Sequence, residues 1–183
     1  MRSCFQTEGM SMYDHGLSVR SWYLDMRSHL LSGSPLRGEW RIPSWFSSTK
    51  IIGHLSSIDD GLMELYQVFH DCGKPLCRTV DPLGRQHFPD HAAVSKARWL
   101  ECSDGSIEAQ WIADMIGMDM DVHLLSVSSV GEFASRPQAL SLLATGLCEI
   151  HSNAGMFGGI GSQGFKIKFK GMERFGSRIM GIV

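Results

Sequence analysis

The sequence has few of the features that mark disulfide-rich, zinc-binding or membrane proteins. It contains five cysteines, an odd number with no Cys-x-x-Cys pair, which argues against a disulfide framework and a structural zinc site. No apolar run approaches the ~18 residues that a membrane-spanning helix needs, and the N-terminal residues show no signal-peptide pattern. We therefore expect a cytoplasmic protein with no membrane partner.

An excess of charge of one sign is also missing. The 17 basic and 19 acidic residues give a formal net charge of −2, so the chain as a whole does not favour nucleic acid. Binding to nucleic acid would therefore need a local patch of basic residues. With 183 residues, of which 43% are hydrophobic, the chain is long enough to bury a substantial core.

Strand patterns are almost absent before residue 165, and helical periodicity takes their place. Apolar residues recur at helical spacing in five segments, which begin near Asp14, Ile51, Asp90, Ser106 and Pro137. Asp59-Asp60-Gly61 interrupts the second segment, so it is one helix or two short ones. The sequence therefore predicts an all-α fold, with residues 1–13 as a loose arm and residues 14–183 as one domain.

Two stretches depart from the helical pattern. Residues 32–49 predict a long loop, whose aromatic side chains either cap the core or form a wall of a substrate pocket. In residues 165–170, lysines alternate with Phe165, Ile167 and Phe169, which predicts a short extended or β segment near the C-terminus. Its lysines, Lys166, Lys168 and Lys170, either protect an edge strand from aggregation or form a basic lip for a phosphate-bearing ligand.

The most distinctive stretch is Phe69-His-Asp-Cys-Gly-Lys-Pro75, at the end of an apolar helical pattern. The adjacent His70 and Asp71 bring an imidazole and a carboxylate within reach of one metal ion. We expect Gly73 to end the helix, Lys74 to supply a cation beside the pair, and Pro75 to prevent continuation. A hydrolytic metal site needs further imidazoles and carboxylates from other helices.

Upstream, His15 and His54 are the candidate ligands. His54 precedes His70 by 16 residues, which on one unbroken helix is about 24 Å, too far to share an ion. It becomes possible only if residues 59–61 form a turn. His15 begins the first helix with apolar residues two and four positions later, so we favour His15 and place His54 second.

Downstream, His91 follows a stretch rich in turn-forming residues and opens the third helix. Asp119 and Asp121 follow an apolar segment, where a buried carboxylate is costly unless it is paired or bound to metal. On a helix these two carboxylates point to different faces, so only one of them binds the ion directly. We slightly prefer Asp119.

The run FHDCGKPLCRTVDPLGRQHFPDHAAVS (residues 69–95) resembles the HD-domain superfamily of metal-dependent phosphohydrolases. It is most similar to the HD module of bacterial CCA-adding tRNA nucleotidyltransferases, and the short chain resembles standalone, phage-type HD proteins. The resemblance implies that His70 and Asp71 bind metal, that Lys74 contacts a phosphate or an acidic residue, and that His91 is a second ligand or a catalytic histidine.

Two further points of comparison concern the rest of the chain. The His-x-Leu-x-Val pattern at His15 is similar to the first-histidine motif of the superfamily. The separation of His15 from His70 is long, so residues 32–49 are taken as an insertion. The last aspartate is not uniquely placed, because Asp119, Asp121 and Glu149 compete for that role.

We therefore expect an HD-type helical bundle that hydrolyses a phosphoester through a metal-bound hydroxide. The resemblance alone implies the substrate, a nucleotide or an RNA-end phosphoester, either a phosphomonoester or a cyclic phosphate. One or two Mn, Fe, Co, Ni or Zn ions per chain suit the mixed ligands. We expect His91, Lys74 and Asp71 to take part in catalysis, and Lys74, Arg78 and Arg85 to bind phosphate. The predicted metal ligands are His15 or His54, His70, Asp71, His91, and Asp119 or Asp121.

Two other functions fit the same residues. In a deoxynucleoside triphosphate triphosphohydrolase, the aromatic side chains of residues 40–46 would stack on a base. In a non-catalytic HD-fold binding module, residues 166–170 would hold nucleic acid or a partner protein.

Overall fold

Helices dominate the structure, a computed structural model that describes residues 1–7 and 9–183. The helices are α1 (Met12–Ser32), α2 (Thr49–Ser57), α3 (Asp60–Phe69), α4 (Lys74–Cys77), α5 (His91–Cys102), α6 (Ile107–Gly117), α7 (Val130–Ala134), α8 (Ala139–Ser152) and α9 (Gln163–Ile182). Strands β1 (Phe5–Thr7) and β2 (Met10–Ser11) pair antiparallel, as do β3 (Thr79–Val80) and β4 (Gln86–His87). The predicted all-α class is confirmed. In the described part of the chain, none of the helices is long and apolar enough to cross a membrane.

The chain forms two compact units, and it passes from the first to the second inside α1. The first unit consists of Met1–Leu17 and Asp60–Met120, and the second of Ser18–Asp59 and Asp121–Val183. The expectation of one HD-type domain over residues 14–183 stays a prediction.

The first unit is built from the start of α1 and helices α3 to α6. Helix α6 packs against α3 and α5, and α4 packs against α5. The core contains Met63, Ile112 and Met115, which are fully buried or nearly so. Residues 1–13, predicted to be a loose arm, instead contain the β1–β2 pair and the start of α1, where the Met12 N–H donates to the Cys4 carbonyl at 2.8 Å.

The second unit is arranged around α8, which packs against α2, α7 and α9. Almost every side chain of α8 between Ala139 and His151 is buried. Residues 33–48, all of them described, form no helix or strand, and they are held to the rest of this unit by specific contacts. The Asp25 carboxylate accepts hydrogen bonds from the N–H groups of Arg37 and Gly38 and from Trp40 Nε1.

The aromatic side chains of this loop are part of the second unit's core. Trp45 and Phe46 are buried, and Trp45 Nε1 donates to the Met172 carbonyl of α9 at 3.0 Å. Trp40 packs edge-on against Trp22 with ring centroids 4.8 Å apart. Of the two predicted roles for the loop, these contacts support the cap on the core.

The predicted extended segment near the C-terminus is wrong, because residues 165–170 are the beginning of helix α9. Phe165 and Phe169 alternate with polar residues, but they also begin a helical series that continues through Met172, Gly176 and Ile179, all buried. A window of six residues fits both periods, and only the longer series separates them. Ser162 caps the helix, since its hydroxyl accepts from the Phe165 N–H at 3.1 Å.

His151, at the end of α8, joins this helix to residues 33–48 when its imidazole is neutral. Its Nδ1 lies 2.8 Å from the Leu147 carbonyl oxygen, which can only accept, so Nδ1 carries the proton. Its Nε2 then accepts from the Arg41 N–H at 3.1 Å. Burial lowers the pKa of His151, and protonation would break the contact with Arg41.

We therefore expect acid to destabilise the second unit. Because the folded pKa of His151 lies below that of the unfolded chain, the unfolded state binds more protons as the pH falls through about 6.5. Between pH 7 and pH 5 the free energy of unfolding of wild type should therefore fall more than that of a variant without this imidazole. The measurement is urea unfolding at both values for wild type, His151→Gln and the exposed control His87→Gln. An equal loss in wild type and His151→Gln would contradict the assignment.

Candidate metal centre

The His70–Asp71 pair lies in the turn between α3 and α4. Helix α3 ends at Phe69, and α4 begins at Lys74. Helix α3 does not continue through Gly73 and Pro75, as expected, although it already ends four residues before Gly73. Pro75 instead lies in the first turn of the new helix α4. A proline is tolerated there, since its missing N–H would have no partner within the helix.

The Asp71 carboxylate is surrounded by four nitrogen-bearing side chains. Lys74 Nζ lies 2.7 Å from Oδ2, and His70 Nε2 lies 3.3 Å from the same oxygen. His15 Nε2 is 3.9 Å from Oδ2, and His91 Nε2 is 3.8 Å from Oδ1. The side chains of Asp71, His70 and His15 are at most 1% exposed, whereas that of His91 is 17% exposed. The site is therefore buried except on the His91 side.

Backbone carbonyls fix which nitrogens of two of these imidazoles face the carboxylate. His70 Nδ1 lies 2.8 Å from the Gln67 carbonyl, and His91 Nδ1 lies 3.1 Å from the Phe88 carbonyl. Each Nδ1 must therefore carry the hydrogen, and in the neutral ring Nε2 presents its lone pair. Because Nε2 of each histidine points at Asp71, a lone pair faces a carboxylate, an arrangement that a shared proton or a metal ion stabilises.

The charge of Asp71 is maintained despite its burial. Burial by itself raises the pKa of a carboxyl group, but the electrostatic interactions with His70 and Lys74 outweigh this effect and hold the pKa of Asp71 well below its usual range. Among the described residues, no group donates a hydrogen bond to Oδ1, although this atom is buried. A buried anionic oxygen of this kind is a good metal ligand.

His15 and His70 are close enough to bind one ion. They each offer a ligand atom within 4.8 Å of the other, and their rings meet edge to face with centroids 5.2 Å apart. The predicted order of preference, with His15 before His54, is supported by this contact. His54 lies in the second unit, where its Nε2 is 2.8 Å from the Ser141 hydroxyl and burial lowers its pKa.

Asp119 belongs to the first unit, and Asp121 belongs to the second. Asp119 is 3% exposed and accepts a hydrogen bond of 2.6 Å from the hydroxyl of Tyr66. Tyr66 lies on α3, four residues before His70. Asp121 forms an ion pair with Arg136. The third competitor, Glu149, lies 2.7 Å from His123 Nε2 in the second unit. These contacts place Asp119 in the same unit as His70 and Asp71, and the choice among the three carboxylates stays a prediction.

The predicted phosphate-binding arginines lie on the surface of the first unit. Arg78 directly follows α4 and is exposed. Arg85 lies in the β3–β4 turn, where its Nε is 3.0 Å from Asp81 Oδ2. Hydrogen bonds from the Arg85 N–H and from His87 lower the pKa of Asp81 to about 2, so this carboxylate is an anion in competition with any phosphate for Arg85.

Sequence reasoning missed several residues that support the centre. Gln6 Oε1 lies 3.0 Å from Lys74 Nζ, and the same ammonium lies 5.4 Å from the centre of the Phe88 ring. The Ser95 hydroxyl of α5 accepts from the Gly73 N–H at 2.9 Å. Gln6 lies in the stretch predicted as a loose arm, and no sequence signal marks it.

Two glycines allow the helices of the centre to approach closely. A Cβ added to Gly16 on α1 would lie 2.3 Å from the Val68 carbonyl oxygen of α3, and one added to Gly73 would lie 2.3 Å from the Ser95 nitrogen. Both contacts are with backbone atoms, which cannot move aside as a side-chain end can. In the sequence, a glycine directly after His15 and inside a helical pattern is the signal that could have indicated the close approach at Gly16.

Comparisons of the chain with protein-family models, with curated proteins and with solved structures found no match. The similarity to the HD superfamily consequently stays a prediction, and the arguments for function come from the centre itself.

We expect Gly16→Ala to destabilise the protein by about 1–3 kcal/mol, because the new methyl group forces α1 away from α3. The matched control is Gly171→Ala in α9, where an added Cβ meets nothing within 4 Å. That change should stabilise by about 0.5–1 kcal/mol, since alanine is the better helix former. Denaturant unfolding measures both, and similar effects of the two changes would disprove the close approach at Gly16.

Proposed function

We propose that the chain is an HD-type, metal-dependent phosphohydrolase that acts on a nucleotide or an RNA-end phosphoester. The observation that carries the proposal is the buried Asp71 carboxylate, which two buried histidines, His15 and His70, approach within 4 Å. A carboxylate and imidazoles this close together, in a site that is buried except on the His91 side, are typical of a centre for a divalent ion.

The residues fit such an ion well. His15, His70 and Asp71 would hold it, with Asp119 as the further carboxylate. Mixed nitrogen and oxygen donors suit Mn, Fe, Co, Ni or Zn, with one or two ions per chain. When bound, such an ion lowers the pKa of a water molecule and neutralises charge on phosphate oxygens.

The surrounding side chains have separate roles in this proposal. Lys74 holds Oδ2 of Asp71 and keeps the carboxylate oriented and ionised. His91 is the partly exposed histidine, and its Nε2 either binds a second ion or donates a proton to the leaving group. Arg78 and Arg85 would contact phosphate oxygens of the substrate, and Arg85 would have to leave Asp81 to do so.

The alternative of a deoxynucleoside triphosphate triphosphohydrolase has no specific observation in its favour. The aromatic side chains of residues 40–46 that it would use for stacking on a base are engaged within the second unit. Trp45 and Phe46 are buried, and Trp40 donates to Asp25 and packs against Trp22.

Metal content is the direct test of the centre. Protein purified without chelator should contain one or two transition ions per chain by mass spectrometry. Asp71→Asn should lose the metal, with an affinity at least about 100-fold weaker, because changes in groups that only support ligands already cost 10- to 100-fold. Metal should also raise the melting temperature of wild type and not of this variant.

The matched control for this test is Asp114→Asn, which removes a carboxylate of the same unit that is 38% exposed and paired with Lys96. It should keep the metal content of wild type. If wild type binds no metal even after addition of Mn or Ni, the proposed function fails.

The role of His91 is tested by His91→Gln, assayed on nucleoside monophosphates, nucleoside 2′,3′-cyclic phosphates and deoxynucleoside triphosphates. If His91 donates a proton, kcat should fall by about 10²–10⁴-fold with an unchanged metal content. If it binds a second ion, one ion per chain should be lost. Release of tripolyphosphate would identify the alternative enzyme, and wild-type protein that contains metal but hydrolyses none of these esters would contradict the proposal.

A further inference from the structure

Helix α9 has two faces of opposite character. One face is apolar and packs inside the second unit against α7 and α8. Gly176 on this face is in such close contact that an added Cβ would lie 2.1 Å from Trp45 Nε1. The apolar face of α9 is therefore fully used by the fold of this unit.

The opposite face is a row of cations, which we call the α9 basic row. It consists of Lys166, Lys170, Arg174 and Arg178, all exposed. The spacing of four residues places them along one side of the helix at intervals of about 6 Å, over about 18 Å in total. Lys168 is also exposed but does not belong to this row, since it is not at the spacing of four residues.

These cations have no carboxylate partner among the residues that the structure describes. The helix has one acidic residue, Glu173, and its carboxylate accepts from the N–H and the hydroxyl of Ser44. By comparison, Arg98 and Lys96 on α5 are paired with Glu101 and Asp114. In a chain of formal net charge −2, four unpaired cations in a row are a local concentration of positive charge.

We propose that the α9 basic row binds the phosphate backbone of a double-helical nucleic acid. A row of about 18 Å matches about five phosphates of one strand, which follow one another every 3.4 Å along the duplex axis. Contacts from lysine and arginine to phosphates do not depend on base sequence, so the surface binds duplexes without sequence preference.

Two features favour a duplex over other polyanions. A helix that binds an anionic membrane inserts its apolar face into the bilayer, but that face of α9 is buried in the protein. Single-stranded nucleic acids are held by exposed aromatic side chains, and on the described surface of α9 the only exposed large apolar residues are Ile167 and Ile182. The inference does not depend on the metal centre, which lies outside these residues.

The test is fluorescence anisotropy of a labelled 20-base-pair duplex with the full chain, in the presence of chelator and at 50–200 mM salt. Four phosphate contacts give a slope of about −3.6 in log affinity against log salt, so binding should weaken roughly 100-fold over this range. Lys170→Gln/Arg174→Gln should reduce the slope to about −1.8 and weaken binding at 50 mM salt by about tenfold or more.

The matched control is Lys96→Gln/Arg98→Gln on α5, which removes the same charge from another helix and should bind as wild type does. Circular dichroism checks that both variants are folded. Absence of duplex binding by wild type at 50 mM salt, or an equal loss in both variants, would overturn the proposal. So would binding to phosphatidylserine vesicles without binding to the duplex. Because chelator is present throughout, a lack of duplex binding would not count against the metal centre. A lack of bound metal would likewise not count against duplex binding.

Discussion

The first unit depends on one buried charge, the carboxylate of Asp71. Taking a carboxylate out of water costs several kcal/mol unless opposite charge and hydrogen bonds replace the lost hydration. Lys74 and the imidazoles of His15, His70 and His91 provide that compensation, within 4 Å of its oxygens. The turn between α3 and α4 and the helices that carry the histidines bring these groups together around the carboxylate.

The backbone of the first unit is adapted to bring these groups together. Gly16 lets α1 approach the carbonyl of Val68, and Gly73 lets the turn approach α5 near Ser95. A larger residue at either position would separate a histidine-bearing helix from the carboxylate. The metal-centre hypothesis and the packing of the unit are therefore linked, since the same contacts that stabilise the fold also position the candidate ligands.

The second unit follows a different principle, in which polar groups hold a long irregular segment against an apolar core. Asp25 binds the backbone of residues 37–38, and His151 binds that of Arg41. Trp45 joins the segment to α9. Since α9 gives its apolar face to this core, its cations are left on the surface, where they are available to a polyanion.

The sequence by itself determined the helical class, because this class depends on local periodicity. It marked an interruption at Asp59-Asp60-Gly61 but left one helix or two open, and the role that it gives to His70 and Asp71 stays a prediction. The strand predicted for residues 165–170 is wrong, because six residues fit the period of a strand as well as that of a helix. The choice between His15 and His54 as the upstream ligand also stayed open. Only the tertiary structure decided that His15 meets His70 and that Asp119 lies in the same unit, because contacts between residues far apart in the chain leave no periodic trace in it. The contacts of Gln6 with Lys74 and of Ser95 with Gly73 likewise join residues far apart in the chain, so only the tertiary structure shows them.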